Sequence, residues 1–139
     1  MRKKVVFDTS SLLAVCIYPD RLPGQIYRQA MLQCELVATT QTLAELVQVL
    51  GRPKFDTWRP LATRMTWYQN HAAMVTEYVA IERATQCRDA KDNKFLDAAL
   101  AASADVIVCS DKDLLVLHPY RAIDVLNLQD FRQKYLADA

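Results

Sequence analysis

Four acidic residues stand where the pattern of the chain switches between strand and helix: Asp8, Glu45, Asp92 and Asp111. Each borders or interrupts an apolar segment, where an unpaired carboxylate is unfavourable. Asp8 closes Val5-Val6-Phe7, and Asp111 follows Val106-Ile107-Val108-Cys109. Asp92 precedes the apolar helix pattern from Phe95 to Ala102, and Glu45 sits inside Leu43-Ala44-Glu45-Leu46-Val47. Brought together, these groups repel, and a divalent cation is what lets them coexist. A hard cation such as Mg²⁺ takes oxygen ligands and keeps several waters, so few carboxylates need touch it and the rest can hold its waters. Such a cluster suits metal-assisted phosphodiester hydrolysis, in which the metal stabilises charge at phosphorus and acidifies a water. One acid can orient that water or take its proton.

Taken singly, each acid also has an ordinary structural use. Asp8 reads as a turn former or cap, and Asp92, Asp111 and Asp113 as helix caps. Glu45 alone reads as a solvated helix residue. Asp97 lies inside an apolar helix, three residues after Lys94, so it is either half of an intrahelical ion pair or a neighbour of the metal. Asp89 reads as a solvated residue of a polar connector.

The elements that must position these groups alternate. Residues 4–7 read as a buried strand, and Thr9, Ser10 and Ser11 as caps leading into a helix from Leu12 to Ile17. Pro19 and Pro23-Gly24 mark a loop before a helix from Gln25 to Gln33. A strand at 35–38 is followed by Thr39-Thr40 as a cap and by Leu43, Leu46, Val47 and Leu50 at helical spacing, ended by Gly51-Arg52-Pro53. Glu45, ~100° around the helix from Leu46, flanks the buried stripe. Residues 60–73 read as a helix, 74–79 fit strand or helix, and Glu82 to Lys91 form a connector. An alanine-rich helix at 93–103, a strand at 105–109, a turn through Asp111–Leu115, a strand at 123–126 and a helix at 128–136 complete the series. Strands alternating with helices imply an α/β fold of three layers, α/β/α, around a twisted and mainly parallel sheet of four to five strands. In such sheets the ligand site lies at the carboxyl ends of the strands. Asp8 and Asp111 both fall there.

The 139 residues, 52% apolar and 24% charged, suit one globular domain spanning 1–139. No stretch resembles a signal peptide or membrane span, so the expectation is a cytoplasmic protein without membrane attachment. Four dispersed cysteines with no CxxC exclude an ordinary zinc site and read as buried apolar residues. Two glycines, Gly24 and Gly51, cannot build a Walker or dinucleotide loop. The net charge of +1 leaves nucleic-acid binding to local distribution.

The motifs together resemble those of PIN-domain proteins, in particular the toxin components of toxin–antitoxin systems. Val5-Val6-Phe7-Asp8-Thr9-Ser10 is similar to the first motif of that family. The stretch from Cys87 to Ala101 resembles its central signature, and Ala104 to Leu115 its last motif. The resemblance implies that Asp8, Asp92 and Asp111 are metal-centred, with Glu45 as the helix glutamate and Asp113 as an accessory acid. Thr9 and Ser10 would support the geometry of Asp8. Three positions depart from the pattern: Cys109 stands where Thr is common, Asp97 where Glu is frequent, and Ala90 where Pro is frequent. The Cys109 departure removes a hydroxyl that could hydrogen-bond behind the ligands.

By the same resemblance the protein would be a ribonuclease using one or two Mg²⁺ or Mn²⁺ ions on single-stranded RNA. It would be blocked by a small cognate antitoxin and would be homodimeric. Lys112, Arg88, Lys91 and Lys94 surround the acids and are candidates for contacting phosphates; Arg52, Lys54 and Arg59 form another basic group. Trp58, Trp67 and Tyr68 could stack on bases or fill a core or interface. The helices at 25–33 and 41–50 could form a dimer or antitoxin groove. Two alternatives stand: a non-catalytic RNA-associated scaffold, and a phosphatase- or dehalogenase-like hydrolase with an aspartate nucleophile. The second is weakened by Ser10, which occupies the place of the second aspartate that such phosphotransferases use.

Overall fold

The computed structural model describes residues 2–137. Five strands, β1 (Lys3–Phe7), β2 (Cys34–Ala38), β3 (Thr76–Glu77), β4 (Val106–Val108) and β5 (Asp124–Leu126), form one sheet in the order β3-β2-β1-β4-β5. Every pairing is parallel. The expected three-layer α/β/α architecture is therefore present. The central strands β1 and β4 carry apolar runs, Val5–Phe7 and Val106–Val108, because both faces of the sheet are covered there. Val5 and Phe7 pack on one face with α1 (Thr9–Ile17), α2 (Leu22–Gln33), α3 (Thr40–Leu50) and α7 (Leu128–Tyr135). Val6, one residue out of phase, packs on the other face with α5 (Asn93–Ala102) and α6 (Lys112–Leu115). Helix α4 (Leu61–Met74) lies outside α3 and adds Met65, Trp67 and Tyr68 to the first layer.

Local chemistry sets the helix starts. Helix α1 begins at Thr9 and not at Leu12, because the Asp8 carboxylate accepts a hydrogen bond from Ser11 N at 2.8 Å and is itself the cap. Helix α2 begins at Leu22, ahead of the expected Gln25, since Pro23 is tolerated in a first turn. Its Gly24 abuts Pro19: a Cβ there would lie 2.0 Å from the Pro19 carbonyl oxygen. Helix α3 opens with a reciprocal box in which Thr42 N donates to Thr39 Oγ1 and Thr39 N to Thr42 Oγ1. The ambiguous stretch 74–79 divides: Met74 ends α4 and only Thr76–Glu77 pair as an edge strand. All four cysteines are free and buried, as expected.

One buried charge organises the segment after α3. Arg64, on α4, has no solvent exposure. Its guanidinium donates to Leu50 O at 2.7 Å, Arg52 O at 3.2 Å and Asp56 Oδ1 at 2.8 Å, and also to Arg59 O. It thus satisfies a terminal carbonyl of α3 and folds residues 51–59 around itself. A planar fork with five donors can do this, whereas a single ammonium cannot. Arg64→Ala should lower unfolding stability by about 3 kcal/mol, read from the urea midpoint, because the buried Leu50 carbonyl and three part-buried acceptors lose their partner and a large buried side chain is removed. Arg64→Lys should recover little of that loss.

Candidate metal centre

Strands β1 and β4 are neighbours, and their carboxyl ends deliver Asp8 and Asp111 to the same edge of the sheet. Asp8 N still donates to Val108 O at 2.8 Å, so the first residue past β1 remains tied to the last of β4. From β1 the chain steps to β2 on one side, and β4 lies on the other side. Such a switch point leaves a crevice beyond the strand ends. The 3₁₀ turn Ala90–Asp92 and the start of α5 close on this crevice.

Three carboxylates meet there: ligand oxygens of Asp89, Asp92 and Asp111 all lie within 4.8 Å of one another. Asp111 Oδ1 accepts from Asp113 N at 2.7 Å, and Asp89 Oδ1 from Lys91 N at 3.1 Å. Each therefore caps a turn with one oxygen. Asp92 Oδ2 is buried and has no hydrogen-bond partner. Burial first, then the charge and proximity of Asp111, and then the charges of Asp89 and Asp8, push the Asp92 carboxyl up to about 7. Asp8 is 3% exposed. Burial raises its pKa, Ser11 hydrogen bonding opposes the rise, and Asp111 adds to it. These raised values report carboxylates crowded without compensating positive charge. An unpartnered buried oxygen among hard oxygen donors fits a divalent cation such as Mg²⁺ or Mn²⁺.

Glu45 reaches a cleft of about 480 Å³ that Asp89 and Asp92 also line. There it is ion-paired with Lys94, which bridges α3 and α5. The cleft carries a basic rim of Arg52, Lys54, Lys91 and Lys94 beside its acids. Of the four basic residues expected from the sequence, Lys91 and Lys94 line the cleft; Arg88 and Lys112 are exposed and do not. Ser10 and Thr9 both line the cleft, Thr9 being buried. The hydrogen bond that steadies Asp8 comes from Ser11 and not from either of these. Thr9 Oγ1 and Ser11 Oγ are buried beside the site without partners.

Asp97 does not join the three clustered acids. Its carboxylate accepts from Ala84 N at 2.6 Å and lies 3.9 Å from the Arg83 guanidinium, which fastens the connector to α5. Lys94, its expected partner, has gone to Glu45. Asp113 stays outside the cluster as well: its N–H supports Asp111, and its carbonyl accepts from the Cys87 thiol at 3.5 Å. Cys109 is fully buried beneath the acids, and burial followed by the charges of Asp8, Asp111 and Asp92 keeps its thiol protonated. Sequence reasoning missed Asp89. The signal was its spacing of three from Asp92, because residues i and i+3 eclipse in a 3₁₀ turn.

A sequence model of the PIN domain matches residues 4–113, a span that includes every acid named above. No curated protein matches the chain.

The raised Asp92 value sets a sign for pH. The folded state holds a proton on Asp92 that the unfolded chain releases near 3.8, so this group makes stability fall as pH rises from there through about 7. A bound cation must displace that proton, so affinity for Mg²⁺ should rise by up to about ten-fold per pH unit below 7 and level off above it. Thermal unfolding with Mg²⁺ and with chelator should accordingly show a larger Mg²⁺-dependent stabilisation at pH 8 than at pH 6. Asp89→Ala should shrink that difference.

Proposed function

The chain belongs to the PIN-domain family, and from that premise we propose that it is a divalent-metal-dependent endoribonuclease that cuts single-stranded RNA with a water nucleophile. PIN domains are generally metal-dependent nucleases. The observation that carries the reading is the convergence of Asp89, Asp92 and Asp111, with the orphaned Asp92 oxygen at its centre. In this reading Asp89, Asp92 and Asp111 hold the metal, and Asp8 sits behind them to orient its waters. When bound, Mg²⁺ or Mn²⁺, as one or two ions, supplies positive charge against the phosphate and acidifies a water. Glu45, steered by Lys94 on the cleft wall, is placed to orient a water or accept its proton. Arg52, Lys54 and Lys91 hold the RNA backbone over the acids by charge, so binding weakens as salt rises.

The finer reading makes this enzyme the toxin of a toxin–antitoxin pair, acting in the cytoplasm, homodimeric and restrained by a small antitoxin protein. Its support is the close likeness of the stretch from Arg88 to Leu115 to that subgroup. No helix among the described residues is long and apolar enough to cross a membrane. The geometry disfavours an aspartate nucleophile at position 8, because Asp8 is buried and does not line the cleft. A non-catalytic scaffold would have no use for a crowded, unneutralised acid set.

Incubation with a mixed single-stranded RNA pool should give cleavage in Mg²⁺ or Mn²⁺ and none in chelator. Asp92→Asn should lower the rate by at least about 10²-fold while the protein stays folded. Equal behaviour of wild type and Asp92→Asn would overturn the nuclease reading.

A further inference from the structure

The structure sorts the three aromatic residues that were candidates for base stacking. Trp67 and Tyr68 pack against the core, and Trp67 stacks on His71 with ring centroids 5.1 Å apart and planes at 8°. Trp58 instead stands 57% exposed. Its exposure does not come from a loose loop. Arg64 grips the carbonyls of Arg52 and Arg59 and the Asp56 carboxylate, and Arg59 Nη1 donates to Cys16 O at 2.8 Å, which ties the segment to α1. A pinned backbone that displays an indole to solvent is the construction of a binding platform.

Beside Trp58 runs an apolar groove of about 190 Å³, walled by Leu13, Ile17, Tyr18, Phe55 and Trp58. Phe55 and Trp58 are adjacent, with centroids 6.3 Å apart and planes at 39°. The groove is continuous with the acid cleft, since Ser10, Leu13 and Phe55 line both. Its flanks are cationic: Lys54 Nζ lies 5.2 Å from the Phe55 ring centroid, and the Arg21 guanidinium 5.2 Å from that of Tyr18. The groove is smaller than a pocket for a whole drug-sized ligand and suits one planar ring system. An apolar slot between cations, opening directly onto a phosphate-cleaving centre, matches the alternation of base and phosphate along an unpaired strand.

We propose that this groove is a nucleobase subsite: one unpaired base next to the scissile phosphate stacks on Trp58 while the phosphate lies over the acids. The inference rests on the nuclease reading and adds to it a residue that holds the substrate in register. Trp58 is a positioning residue that acts through the base and does not touch the reacting phosphorus.

The test uses the full chain carrying Asp92→Asn, in Mg²⁺, so that the probe survives. Two fluorescent probes are titrated: a mixed-sequence single-stranded RNA ten-mer and an abasic ribose-phosphate ten-mer. Trp58→Ala should weaken the RNA ten-mer about ten-fold, and Trp58→Phe should weaken it less than about three-fold, as loss of one stacked base requires. The abasic probe should bind both proteins alike, and thermal unfolding should be unchanged because the side chain is exposed. Unchanged RNA affinity in Trp58→Ala, or an equal loss for the abasic probe, overturns the subsite and leaves the nuclease reading standing. A change in sedimenting mass with unchanged RNA affinity also overturns it, and makes the groove a contact between protein chains. Absence of RNA binding by the protein with Trp58 intact brings down both readings together.

Discussion

Carboxylates whose oxygens come within 4.8 Å of one another repel, and the fold holds Asp89, Asp92 and Asp111 in that arrangement with backbone hydrogen bonds. Asp111 and Asp89 each give one oxygen to an N–H at the start of a turn, and Asp8 behind them does the same for α1. A cap needs only one oxygen of a carboxylate. The other stays available to a cation. Cap and ligand are therefore not competing roles for these residues, because the helix start aims the ligand. Only Asp92, the residue with an orphaned oxygen, lacks this support, and its pKa is the one raised to about 7.

The basic side of the cleft depends on a second buried charge. Arg64 collects the end of α3 and the segment 51–59 into one unit. That unit carries Arg52, Lys54, Phe55 and Trp58 to the rim, and the Lys94–Glu45 pair joins α3 to α5 across the cleft. Asp8, Asp111, Asp89 and Asp92 come from the ends of β1 and β4 and the approach to α5, which also brings Lys91 and Lys94, while Arg52, Lys54, Phe55 and Trp58 come from beyond the C-terminal end of α3. Stability and the shape of the cleft rim are thus linked through α3: loosening the Arg64 clamp would disturb the rim before it reached the acids.

Much of this was legible in the chain. Val5-Val6-Phe7 and Val106-Ile107-Val108 are short β-branched or aromatic runs of the kind a doubly covered parallel strand carries, with Asp8 directly after the first and Asp111 three residues after the second. Thr39-Thr40 announce α3, with Thr39 its cap, and Gly51 its end. The less legible features were those decided by three-dimensional competition for partners. Lys94 has Asp97 three residues along its own helix, yet it pairs with Glu45 from another helix. Asp97, left free, pins Ala84 N instead. Asp89 looked like one more polar connector residue until the 3₁₀ turn placed it beside Asp92.

By itself the sequence determined the alternation of elements, the parallel sheet and the edge at which acids collect, because burial periodicity and capping are local and chain-encoded. Tertiary structure alone decided which acids meet, which one is left unneutralised, which lysine bridges the cleft and which tryptophan faces solvent. Those outcomes depend on distances between elements remote in sequence. Electrostatic and packing choices at such distances are settled only when every rival partner is in place.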